Sequence, residues 1–138
     1  MNHTVSLEIA KKLQEAGWGK ECYFLSPKDS EELMHFSRGK TYGPEELYWR
    51  PMLNELLEEL PVRIENKYGV LYKCHLVLES QEDFLRYYHM YYSDKFGNFL
   101  EGLIIDEDNP HDAAALLWIW CKENGYLSDK ELSSTPHL

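Results

Sequence analysis

The hydrophobic period of this chain changes twice, and that pair of changes constrains the fold more than any single motif. From Pro51 to Leu60 the apolar residues Met52, Leu53, Leu56, Leu57 and Leu60 recur at helical spacing, with Pro51 at the permitted first position and Pro61 ending the run. From Val62 to Ile105 the period shortens to two, and β-branched and aromatic residues take over. At Pro110 it lengthens again and stays helical to Asn124, with Gly125 as the exit. A block of strands held between helices is the pattern of an α+β domain.

Four strands are expected in the block: Val62 to Glu65, Val70 to Leu78, Phe84 to Tyr92 and Phe99 to Ile105. Asn66-Lys67-Tyr68-Gly69 joins the first two. In the second strand Val70, Tyr72, Cys74, Leu76 and Leu78 share the better core-facing side; Leu71, Lys73, His75 and Val77 share the other. Upstream, Glu21 to Leu25 and Leu33 to Ser37 read as short strands around the turn-rich Ser26 to Ser30, and Thr41 to Trp49 as a loop with one helical turn. A leading helix runs from Ser6, its cap, to Ala16, with Ile9, Ala10 and Leu13 on one side and Gly17 as the exit. In the closing helix, capped by Asn109, the apolar positions Ala113, Ala114, Leu116, Leu117, Trp118, Ile119, Trp120 and Cys121 wrap more than half the circumference. Such a helix is expected to be covered by a sheet, a partner chain or both. The predicted architecture is one α+β domain over residues 1–127, with about three helices on one face of a mostly antiparallel sheet of four to six strands. Residues 128–138 are expected to form a polar, flexible tail.

Charge narrows the function classes. With 24 Asp and Glu against 14 Lys and Arg the net charge is -10 over 138 residues, and the basic residues occur singly or as the one pair Lys11-Lys12. Direct nucleic-acid binding by counterion release has little to draw on, and none is expected. No apolar run approaches the ~18 to 20 residues of a membrane span, and Met1 to Ala10 lacks a basic start and an apolar stretch. Three scattered cysteines, Cys22, Cys74 and Cys121, form no C-x-x-C arrangement. They read as buried, reduced thiols, as expected of a cytoplasmic chain.

The densest charge is Glu101 to Asp112, with five acids and no Lys or Arg. Asp106, Asp108 and Asp112 are the candidate cation ligands. A calcium loop counted from Asp106, however, needs Gly and Glu where His111 and Leu117 stand. Carboxylates entering a helix N-terminus are the stronger reading, each worth about 0.3 to 1 kcal/mol. The six histidines show no H-x-x-x-H pairing, and neither metal nor cofactor is expected. His75 and His89, in neighbouring predicted strands, are the candidate acid/base pair, with Glu79, Asp83 or Asp94 nearby. There is no nucleophile elbow and no phosphate-binding glycine loop. Cys121, among Leu117, Trp118 and Trp120, is expected to stay a thiol and pack.

The remaining signal is aromatic. Tyr87, Tyr88, Tyr91 and Tyr92 surround His89 and Met90, and Tyr42, Tyr48 and Trp49 precede the second helix. Tyrosines on both faces of a strand cannot all enter one core, so some must be exposed. Exposed Tyr and Trp suit protein interfaces. Tyr87, Tyr88, Tyr91, Tyr92, Trp118 and Trp120 are therefore the candidate interface residues, and they also predict a homodimer.

Three segments carry a resemblance: Ser6-Leu7-Glu8-Ile9-Ala10-Lys11-Lys12-Leu13 with Gly17-Trp18; Pro51-Met52-Leu53-Asn54-Glu55-Leu56-Leu57-Glu58-Glu59-Leu60-Pro61; and Asn109-Pro110-His111-Asp112-Ala113-Ala114-Ala115-Leu116-Leu117-Trp118 with Glu123-Asn124-Gly125-Tyr126-Leu127. Together they resemble a group of small phage and prophage proteins with a leading helix, a P-T-L-x-E-L-L-E-x-L-P helix and an N-P-A-D-A closing helix. Met52 and His111 depart from that pattern, and neither disturbs a helix. The resemblance implies the fold and an origin in a bacterium or a phage-infected host cell, and carries no activity or ligand.

These readings favour a non-enzymatic protein-interaction module of unknown partner. The alternatives are an acidic mimic of nucleic acid that occupies a DNA- or RNA-binding protein, and a small enzyme using His75, His89 and a carboxylate.

Overall fold

A computed structural model describes residues 3–28, 30–37, 47–80 and 86–127. The expected tail, Tyr42 with the rest of 41–46, and Asp83 lie outside them. The described chain is an α+β fold of three helices and two antiparallel sheets.

The helix ends follow local chemistry. Helix α1 spans Leu7–Glu15, with the Ser6 hydroxyl accepting the Ile9 N–H at 3.3 Å. Helix α3 spans Pro110–Glu123, with the Asn109 side chain accepting the His111 N–H at 2.9 Å. Helix α2 spans Leu53–Glu59 and begins later than Pro51 suggests. The Pro51 carbonyl is committed to the Val5 N–H at 3.0 Å, and the Glu55 carboxylate reaches back to the Met52 N–H at 2.8 Å, leaving Met52 extended as the cap.

The strands divide between two sheets. β1 (Phe24–Pro27) lies between β2 (Met34–His35) and β3 (Leu47–Trp49). Leu47–Trp49 was expected within a loop. It is a strand because Trp49, Tyr48 and Leu47 find Leu25, Ser26 and Pro27 across the ladder, a partner no local pattern announces. The larger sheet has the order β4-β5-β6-β7, from Arg63–Glu65, Leu71–Ser80, Arg86–Ser93 and Ile105–Glu107. The strand expected over Phe99 to Ile105 is interrupted. Phe99 bridges Ser93, Leu100–Gly102 forms a 3-10 turn, and Glu101 and Gly102 take φ of 52° and 71°. Pairing resumes only at Ile105.

Helix α3 covers one face of the larger sheet, packing on β6 and β7, with α1 and α2 against its other sides. Ile64, Met90 and Tyr92 from the sheet, and Ala113, Ala114, Leu117 and Cys121 from α3, are buried in one core. The small run Ala113-Ala114-Ala115, all fully buried, lets the helix sit close. The Tyr92 hydroxyl, held in this core, donates to the Pro61 carbonyl at 2.7 Å.

The starts of the three helices are tied together. Asn109 Nδ2 donates to the Thr4 carbonyl at 3.2 Å, and the Ser6 N–H to Asp112 Oδ1 at 2.8 Å. The Leu53 N–H donates to His111 Nδ1 at 2.7 Å, and Arg50 Nε to the Val5 carbonyl at 3.0 Å. Each bond satisfies a backbone group that a helix end or loop leaves open. Ser6, Leu53, Asn109, His111 and Asp112 are thus spent on holding the scaffold. Among the described residues no helix is long and apolar enough to cross a membrane.

Candidate functional site: the uncovered sheet face

Alternation along the larger sheet sends Ile64, Tyr72, Cys74, Met90 and Tyr92 toward α3. The intervening residues emerge on the opposite face, which no described helix covers. Register sets them in rows across the strands. Arg63 stands opposite Lys73 and Lys73 opposite Ser93; His75 opposite Tyr91; Val77 opposite His89 and His89 opposite Asp106; Glu79 opposite Tyr87.

The face has three zones. At one end Lys73 and Leu71 meet the turn that carries Lys95 and Phe96, with Arg63 beside Lys73 on β4, and a groove of about 880 Å³ opens between the two turns. In the middle, the His75 ring stacks on Tyr91 with centroids 5.3 Å apart, and Tyr91 meets Phe99 edge-on at 4.8 Å. At the other end His89 is clamped between carboxylates, Nδ1 on Asp106 and Nε2 on Glu79 at 2.7 Å. The Asp106 hydrogen bond, then that of Glu79, raises the His89 pKa above its ordinary value, because both favour the imidazolium.

This geometry disposes of the sequence candidates differently. His75 and His89 share the face but stand in different rows, and His75 keeps to Tyr91. Both nitrogens of His89 are occupied by carboxylates, so neither is free to take a proton from a substrate. Asp94 is spent on its own turn, accepting the Phe96 and Asn98 amides. Among the described residues no group of three His, Cys, Asp or Glu side chains is placed to hold a metal ion. Asp106 serves His89, Asp112 caps Ser6 from a buried position that raises its own pKa, and Asp108 is exposed.

The aromatic candidates also separate. Tyr87 and Tyr91 lie on the uncovered face, whereas Tyr92 is buried and Tyr88 packs against the core. Trp118 is buried edge-on against Trp18 at 5.1 Å, and Trp120 leans on Tyr126 at 5.3 Å. The covering that α3 needed is supplied by its own chain. The thiols are packing groups, and burial pushes Cys22 and Cys121 up to about 12 and raises Cys74.

Sequence reasoning missed two features. Arg50, single in sequence, is a buried cation that donates to Val5 and Ser26. Arg63 and Lys73, ten positions apart, become neighbours through the tight turn between β4 and β5, whose Asn66 to Gly69 signal could have fixed that register. No family model, curated protein or solved structure matches this chain.

Proposed function

We propose that the chain is a non-enzymatic protein-interaction module, of the phage and prophage type its motifs resemble, working through the uncovered face of the β4–β7 sheet. The observation that carries the reading is an antiparallel sheet with a helix on one face and none of the described helices on the other. That bare face holds the His75–Tyr91–Phe99 ring chain beside the exposed Leu71, Val77 and Phe96. Contiguous apolar and aromatic area of this type marks a contact surface. The occupied nitrogens of His89 weigh against the enzyme reading. The Arg63–Lys73 row weighs against a nucleic-acid mimic on this face, because a mimic needs carboxylates spaced along it.

The test is photo-crosslinking in the cell that makes the protein, with p-benzoylphenylalanine at Tyr91 or, as a control, at the exposed Tyr23, which lies outside the β4–β7 sheet. Tyr91 is expected to trap a discrete protein adduct and Tyr23 none. Equal yields at the two positions would overturn the reading.

A further inference from the structure

The cationic end of the sheet face is unusual in this molecule. Arg63 and Lys73 are direct cross-strand neighbours on the exposed side of β4 and β5. Like charges so placed repel. In a chain with 24 acids, no described carboxylate lies within ion-pair reach of either. Lys95 joins them from the turn after β6, its ammonium 5.2 Å from the centre of the Phe96 ring, which is 78% exposed. Of the acids close by, Glu65 shares the face beyond Arg63, and Asp94 is bound into its own turn.

Between Lys73 and Lys95 lies the groove of about 880 Å³, lined by Val70, Leu71, Lys73, His75, Lys95 and Phe96, with Arg63 across the ladder from Lys73 on the neighbouring strand. That volume is in the range that takes a ligand or a few residues of a chain. The lining joins aliphatic surface to positive charge, so the complement is a segment with carboxylates around a large apolar side chain. A nucleic-acid strand fits less well. Its charge is continuous, so it would run on to Glu79 and Asp106, which lie on the same face.

We propose that this groove binds an acidic peptide segment of a partner protein, its carboxylates on Arg63, Lys73 and Lys95 and its apolar side chain between Leu71 and Phe96. The proposal rests on the reading of this face as an interaction surface and names the partner's chemistry. Charge-assisted contacts of this type set specificity and weaken with salt.

A random dodecapeptide library displayed on phage, selected against the immobilised full chain, provides the test. Enriched peptides are expected to carry Asp or Glu on both sides of Leu, Phe or Trp. The leading peptide, labelled with fluorescein and followed by anisotropy, should lose at least about tenfold in affinity for R63E/K73E and for K95E, and keep it for R63K/K73R. All three positions are exposed, and circular dichroism checks that each variant folds. Failure to enrich, peptides without acidic excess, equal binding to R63E/K73E, or tighter binding of labelled oligothymidine would each overturn the proposal. Peptides lost with Tyr87→Ala yet kept by R63E/K73E would remove the groove and leave the wider face standing. An empty crosslink at Tyr91 would remove both.

Discussion

Arg50 and His89 show how much one side chain does in this fold. The Arg50 guanidinium is buried and donates to the Val5 carbonyl at 3.0 Å and the Ser26 hydroxyl at 2.9 Å, with Glu31 at 3.5 Å. Burial lowers its pKa, and Glu31 is the first influence in the other direction. Arg50→Met keeps much of the stem but leaves the buried Ser26 hydroxyl without its donor and the Val5 carbonyl with the Thr4 hydroxyl alone. It should destabilise by about 1–3 kcal/mol, read as a lower urea midpoint at unchanged slope. Arg50→Lys should recover only part, because an ammonium lacks the fork that reaches both acceptors. His89 gives a pH signature. Its folded pKa is raised, mainly by Asp106 and then by Glu79. The folded chain therefore holds that proton at pH values where the unfolded chain has released it. The stabilisation is complete below the ordinary value near 6.5 and disappears as pH rises through the raised value. Unfolding midpoints across this window should fall with pH in the wild type and fall less in His89→Gln. Parallel profiles would show that the clamp contributes nothing.

At the scale of elements, the sequence was legible where structure is decided locally. Ser6 and Asn109 cap the helices they precede, and Gly17 and Gly125, with φ of 105° and 81°, take the left-handed exits. Where a distant segment decides, it was not. Helix α2 starts at Leu53 because Pro51 is bonded to Val5, and β3 exists because β1 lies beside it. Alternation in β5 correctly separated the sheet's two faces, but it could not say how far the cover extends. A helix of 14 residues such as α3 spans about 21 Å, whereas a strand of 10 residues such as β5 spans about 33 Å. Leu76 and Leu78 thus lie on the core-facing side and still remain 38% and 47% exposed. The candidate site was legible to the same degree. Tyr87, His89 and Tyr91 could be placed on one face, but Asp106 reaches His89 only after the turn at Glu101 and Gly102 resets the register of β7.

For the whole molecule, the decisive feature is where the larger sheet stops. β4 ends its cover of β5 with the Cys74 N–H bonded to the Val62 carbonyl at 3.1 Å. Beyond that point alternation turns the amides and carbonyls of Leu76 and Leu78 outward, with no partner among the described residues. Leu76, Val77 and Leu78 are 38%, 41% and 47% exposed there. An open apolar edge is a template for another strand. A second copy can supply it antiparallel, provided facing residues share a side of the sheet, which requires the two-fold axis to pass through a residue. Val62 fills the slot beside Cys74, so a centre at Val77 would drive the partner's Ser80 into it. A centre at Leu78 uses the edge from Leu76 to Ser80 and sets Leu78 against its own copy. So short a contact falls below the ~800 Å² per partner of a standard interface, so the dimer should be weak. Sedimentation equilibrium should show mass rising toward twice the monomer with concentration, and Leu78→Lys should hold it at the monomer by placing two ammonium groups face to face. Under oxidation Leu78→Cys should close a bridge between chains, since facing hydrogen-bonded residues lie about 5.5 Å apart at Cα, within disulfide reach. Val77→Cys, whose partner across the edge is Glu79, should not. A monomer at every concentration, or a bridge through Val77 in place of Leu78, would remove this edge as the route by which copies meet.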